Sequence, residues 1–98
     1  MISVHTQAIR LDPNDASVFN NRGAAHNAAG NRDLAIADYT EAIRINPTAG
    51  RFYNRGLAYR DAGNLDAAIA DWEAALRIDP NHAAARRSLE SARQQRGR

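Results

Sequence analysis

An eighteen-residue stretch occurs twice, as GNRDLAIADYTEAIRINP at residues 30–47 and as GNLDAAIADWEAALRIDP at residues 63–80. The copies lie 33 positions apart and agree at eleven of eighteen places. Most remaining changes are conservative, among them Tyr39 to Trp72, Ile43 to Leu76 and Asn46 to Asp79. A fixed period of this length marks a chain built from one supersecondary unit that cannot bury its apolar face alone and stacks on its neighbour instead.

Glycine and proline punctuate each copy. Pro13, Pro47 and Pro80 follow an acid or an amide. Proline disfavours the helical conformation in its predecessor and offers no backbone donor, so helices stop there. Between stops lie two segments, the first holding FNNRGAAHNAAG or FYNRGLAYRDAG, the second being the duplicated stretch. Gly30 and Gly63 sit between the two segments, where a left-handed residue ends a helix; Asn31 and Asn64 follow and favour the turn. Within the second segment Ala35, Ile36, Tyr39, Ala42 and Ile43 recur at helical steps, as do Ala68, Ile69, Trp72, Ala75 and Leu76. Asp38, Glu41 and Arg44 are assigned to the opposite, solvent side, and Glu41–Arg44 and Glu73–Arg77 are expected ion pairs. No segment alternates with period two, so strands are not expected.

The unit is thus helix, glycine turn, helix, proline stop, and its ordered residues resemble the tetratricopeptide repeat over nearly the whole chain. Those residues are an aromatic (Phe19, Phe52), a glycine (Gly23, Gly56), a ring three places on (His26, Tyr59), a small residue (Ala35, Ala68), an aromatic (Tyr39, Trp72), an alanine (Ala42, Ala75) and the proline. The resemblance implies an all-α, right-handed α-solenoid. It comprises a half repeat over 1–13, full repeats over 16–47 and 49–80, a capping helix over 81–95 and a tail over 96–98, six helices in all. In the half repeat Ala8, Ile9, Leu11 and Pro13 match Ala42, Ile43, Ile45 and Pro47. In the cap, Arg86 and Glu90 stand where the aromatic and glycine would be, while Ala85, Leu89 and Ala92 keep one apolar stripe. Pro47 to Gly56 is one residue shorter than Pro13 to Gly23, which reads as a shorter turn eased by Gly50.

Composition closes off several chemistries. There is no cysteine, so disulfides, zinc thiolates and cysteine nucleophiles are excluded. The opening MISVHTQAIRLDP has no long apolar run, so neither a signal peptide nor a membrane span is expected, and the cytoplasm is the expected location. A chain of 98 residues buries about 60–65% of its unfolded surface, a thin core. Every one of the thirteen basic residues is arginine. Residues 1–80 hold eight arginines against ten acids; residues 81–98 hold Arg86, Arg87, Arg93, Arg96 and Arg98 against Glu90. The positive charge therefore gathers at one end, without the interleaved aromatics of a nucleic-acid site, and neither nucleic acid nor membrane is expected as a partner.

His5, His26 and His82 do not share the spacing of a metal pair. His26 takes a ring position and His5 the place of Tyr39 and Trp72. Asp33, Asp66, Asp38 and Asp71 recur with the repeat and are expected to face solvent. GNRDLA and GNLDAA lack the phosphate-loop pattern. No catalytic residue, metal or cofactor is expected.

The resemblance points instead to the concave face of stacked first helices, which in such arrays binds an extended peptide or a partner helix. The positions it implies are Asn20, Asn21, Asn27, Tyr53, Asn54, Leu57, Arg60 and Arg87. Asparagine offers a donor and an acceptor to a peptide backbone, Tyr53 and Leu57 apolar area, and Arg60 and Arg87 a fork for carboxylates. Some members grip a chaperone's C-terminal carboxylate with lysine, asparagine and arginine. Asn21 or Asn54 matches the asparagine, but Asn20 and Ala84 stand at two lysine sites, leaving Arg87 as a partial substitute. The alternatives are a spacer within a longer solenoid, or a fragment that self-associates through Ile2 and Ile9 at its open N-terminal end.

Overall fold

The computed structural model describes residues 14–97. The expected half repeat over 1–13, with His5, Ile2 and Ile9, lies outside them, as does Arg98. The described residues form five helices and no strand: α1 (Ala16–Ala28), α2 (Arg32–Ile45), α3 (Ala49–Asp61), α4 (Leu65–Ile78) and α5 (Ala83–Arg96). α1 pairs with α2 and α3 with α4; α3 also packs on α2, and α5 on α4. The result is a short all-α solenoid, elongated at 45 × 26 × 17 Å.

Local chemistry sets the helix boundaries. Asp15 caps α1 by accepting from Ser17 N–H, Thr48 caps α3 by accepting from Arg51 N–H, and Asn64 caps α4 through Ala67 N–H. Asn31 begins α2 without a side-chain cap bond, so its turn role is not the same as that of Asn64. Gly30 and Gly63 take φ of +85° and +86°, the left-handed conformation that closes α1 and α3. The backbone N–H groups of Asn31 and Asn64 reach back to the carbonyls of His26 and Tyr59 and satisfy orphaned helix ends.

Gly50 departs from expectation. It lies in the first turn of α3, with no positive φ, and a Cβ there would meet nothing within 4 Å. The short junction is made by Thr48, which caps the helix directly after Pro47, and does not use glycine's freedom.

Gly23 and Gly56 are used differently. A Cβ on Gly56 would lie 2.5 Å from Trp72 Nε1 and 2.9 Å from two further ring atoms. On Gly23 it would lie 3.0 Å from the Tyr39 ring and 3.2 Å from the Ala35 carbonyl oxygen. The glycines therefore hold room for an aromatic of the partner helix. Trp72 is wholly buried and donates its indole N–H to the Tyr53 carbonyl oxygen at 3.2 Å. Around it gather Ala49, Ala68, Ile69, Ala75, Ala85, Leu89 and Ala92. A smaller cluster holds Ala35, Tyr39 and Ala58. Ala85, Leu89 and Ala92 are the expected stripe of α5, with Glu90 exposed. That helix is further held by Arg93 to Glu73 at 2.9 Å and Arg96 to Asp66 at 3.5 Å. Glu73 thus turns to α5 instead of to Arg77, whereas the expected Glu41–Arg44 pair forms and draws the carboxyl of Glu41 below its usual range.

Two measurements check this packing. In thermal and urea unfolding, Gly56→Ala destabilises by about 2–3 kcal/mol and Gly23→Ala by about 1 kcal/mol, from overpacking. Gly50→Ala stabilises by about 0.5–1 kcal/mol, since a helical, unobstructed glycine gains helix propensity and loses unfolded-state freedom. Burial, and secondarily the charge of Asp38, raise the Tyr39 hydroxyl above its ordinary value of 10.0. A raised folded-state value means its contribution is complete below pH 10.0 and is lost as pH rises past it. Urea titrations on both sides of that pH will show an alkaline loss that is smaller in Tyr39→Phe.

Candidate functional site

The buried polar groups come first, because they decide which side chains remain free. Asp38 and Asp71 are 5% and 4% exposed, not solvent-facing as their polarity implied. Each accepts a forked pair of bonds from an arginine on the companion helix. Arg22 Nε and Nη2 donate to Asp38 at 2.8 and 2.7 Å, and Arg55 Nε and Nη2 to Asp71 at the same distances. The carboxylates raise both guanidinium groups above their ordinary value, chiefly through these bonds. The motif aromatics support the arrangement: Arg22 lies 5.8 Å from the Phe19 ring centroid, and Arg55 lies 5.6 and 5.7 Å from those of Phe52 and Tyr59. Arg55 Nη1 also donates to Thr40 Oγ1 of the preceding unit at 3.2 Å. Asp33 and Asp66 are exposed as expected. His26 is mostly buried, with Nε2 3.8 Å from Asp38 Oδ2 and Nδ1 lacking a partner.

With Arg22 and Arg55 committed to their hairpins, other residues line the α1–α3 junction. Asn20, Thr48, Gly50, Arg51 and Asn54 line an open surface cavity of about 260 Å³. Of the expected groove residues, Asn20 and Asn54 are brought together here. Asn27 is half-buried with its Oδ1 closed off and unpartnered, as is the Oδ1 of Asn20. Asn21 is exposed. Tyr53 and Leu57 are half-buried and lean on the Trp72 cluster. The Tyr53 ring meets His82 at 5.2 Å between centroids, and His82 caps α5 by accepting from Ala85 N–H at its Nδ1. Arg60 is exposed and paired with Asp61 at 3.2 Å. Arg87 is exposed with no ion pair among the described residues.

Sequence reasoning missed Arg51, which lines the cavity, and the Arg22–Asp38 and Arg55–Asp71 clamps. A signal for the clamps was present: an arginine and an aspartate 16 residues apart, repeated at the repeat period. Among the described residues no three histidine, aspartate or glutamate side chains gather as a metal site would require, and no helix is long and apolar enough to cross a membrane.

Paired antiparallel helices, stacked along one axis with a glycine under each aromatic, define a helical-repeat scaffold of the kind used for protein interaction. The tetratricopeptide repeat profile matches residues 16–49 and 51–82, and the chain belongs to that family. No curated protein matches the sequence significantly. The first TPR domain of Spaghetti (RPAP3), solved with the HSP90 peptide SRMEEVD, superposes with a TM-score of 0.95 at 24% identity, over 99% of this chain and 78% of that one. That likeness speaks to the fold. The second TPR domain of human RPAP3, in complex with the HSP70 peptide SGPTIEEVD, gives 0.89 at 28% identity over 94% of this chain and 78% of that one. MamA gives 0.94 at 28% identity over 98% of this chain, which spans 57% of MamA.

The clamp is testable by a double-mutant cycle. Because both partners are mostly buried, Asp71→Leu or Arg55→Met alone costs about 2–4 kcal/mol by stranding a charge. The combined Arg55→Met/Asp71→Leu variant costs clearly less than the two singles summed, read from urea midpoints.

Proposed function

We propose that this chain is a non-catalytic protein-interaction module that binds an extended peptide or partner helix across the face made by α1, α3 and α5. The observation that carries the reading is the polar cavity between α1 and α3, where Asn20 and Asn54 meet without engaging one another. Such amides suit the alternating donors and acceptors of a peptide backbone. The proposed contacts are Asn20, Asn21, Asn27, Tyr53, Asn54, Leu57, Arg60 and Arg87. Peptide binding by the second TPR domain of human RPAP3 supports the choice of ligand class. The specificity differs from a lysine-based carboxylate clamp, since Asn20 and Ala84 occupy two of those lysine positions. We place the module in the cytoplasm, with no nucleic-acid or membrane partner.

Tyr53 is a poor single test because its ring also supports His82 and the Trp72 cluster. Asn54 and Arg87 are better probes, as neither makes a hydrogen bond that the fold requires. Peptides selected from a phage-displayed random library on the wild-type chain will bind Asn54→Ala and Arg87→Ala about tenfold more weakly, with unchanged melting. Equal binding by both variants would remove this face as the site and leave the chain a spacer.

A further inference from the structure

The helices of this chain start on different chemistries. Asp15, Thr48 and Asn64 cap α1, α3 and α4 through side-chain oxygens. Among the described helices α5 alone starts on an imidazole: His82 Nδ1 accepts from Ala85 N–H at 3.1 Å. The oxygen of a threonine or an asparagine accepts at any pH, whereas Nδ1 accepts only while the ring is neutral. Imidazole changes charge between about pH 5 and 8. Protonation turns this nitrogen into a donor that faces another donor, and adds positive charge at the positive end of a helix dipole.

No counter-charge beside the ring offsets that change. His82 makes no ion pair among the described residues. From α3 it meets the Tyr53 ring, 5.2 Å between centroids and tilted by 44°. In the turn before it, Asp79 spends Oδ1 on Asn81 N–H at 3.0 Å, and its carbonyl oxygen accepts from His82 N–H at 3.1 Å. The acids that α4 presents to α5, Glu73 and Asp66, are taken by Arg93 and Arg96. On α5 itself Arg86 stands four residues on, a like charge one turn away, and donates to the Pro80 carbonyl oxygen.

The same helix has little else to hold it. It packs on α4 at the end of the described array, and its buried stripe is Ala85, Leu89 and Ala92, of which two offer a methyl each. Ala85, whose N–H makes the cap bond, is wholly buried in the Trp72 cluster, so one residue joins the cap to the seat. A terminal element of a stacked array leans on one neighbour and opens before the rest.

We propose that His82 makes the seating of α5 pH-sensitive, protonation of its ring releasing the cap and loosening α5 from the Trp72 cluster. The released helix takes up a proton that the seated helix excludes. Seating is therefore complete above the imidazole range and is lost as pH falls through it. Loss of a cap, together with a positive charge at the helix start, raises opening about tenfold. The inference rests on the cap geometry and is independent of the binding face; where both hold, Arg87 leaves that face with α5.

Amide hydrogen exchange of the ¹⁵N-labelled full chain is followed at about pH 7.5 and about pH 5.5, an interval in which imidazole changes charge and most carboxylates do not. Rates are expressed as protection factors, which remove the intrinsic effect of pH on exchange. Protection of Leu89 and Ala92 is expected to fall about tenfold at the lower pH, while that of Ala58 in α3 holds. His82→Asn keeps a cap that does not titrate and is expected to abolish the fall. His82→Phe keeps a ring beside Tyr53 but cannot cap, and is expected to show low protection at both values. Ring ¹⁵N shifts of the wild-type chain at the higher pH are expected to show Nδ1 bare and Nε2 protonated. A fall in α5 no larger than that at Ala58, a fall of equal size in His82→Asn, or a proton on Nδ1 at the higher pH each overturns the proposal. Should His82→Phe fail to fold, the His82→Asn comparison and the ring shifts decide alone.

Discussion

The contact between Gly56 and Trp72 sets the spacing of the hairpin on which most of the core is assembled. The indole reaches its hydrogen bond with the Tyr53 carbonyl only because the ring slides past a helix turn that has no Cβ. Helices that approach this closely bury alanines as effectively as larger residues, which is why Ala68, Ala75 and Ala85 are all wholly inaccessible. The first hairpin uses the same device with a smaller ring, and Gly23 leaves correspondingly more room over Tyr39.

Close approach brings a second consequence. With α1 against α2 and α3 against α4, arginines one place before the glycines meet aspartates one place before the aromatics. The forked geometry satisfies the carboxylate oxygens inside a thin core, and the flanking rings of Phe52 and Tyr59 exclude water from Arg55. Breaking such a pair costs more than its net contribution to stability, so it acts mainly to hold one register between the helices. The single bond from Arg55 to Thr40 carries that register across to the neighbouring unit.

The parts legible in the sequence were those governed by period: the repeat, the left-handed Gly30 and Gly63, the rings under Gly23 and Gly56, and the stripe on α5. Periodicity assigns faces by polarity, and it therefore placed Asp38 and Asp71 in solvent. Their burial follows from a partner on another helix, which a one-helix pattern does not contain. Glu73 was paired with Arg77 for the same reason, whereas Arg93 on α5 takes it. Gly50 was read as a turn residue from a length difference alone; the cap by Thr48 accounts for that difference without it. The cavity at Arg51 was invisible because its wall comes from two helices and the junction that precedes α3.

The division between committed and available side chains explains why a binding face exists where it does. Within each hairpin the buried carboxylate, Asp38 or Asp71, is matched by an arginine of the companion helix, and the aromatics fill much of the remaining space. Between α1 and α3 the links are sparse, as in the bond from Arg51 to Ser17. The second helix of a unit packs against the unit that follows, as α2 does against α3, while the first helices α1 and α3 touch only sparsely. The gap between first helices is thus a by-product of how the hairpins close, and what lines it is whatever the clamps leave over. In this chain that remainder is two asparagines, a threonine, a bare stretch of backbone and one arginine without a counter-charge, a surface with more donors than its own fold can use.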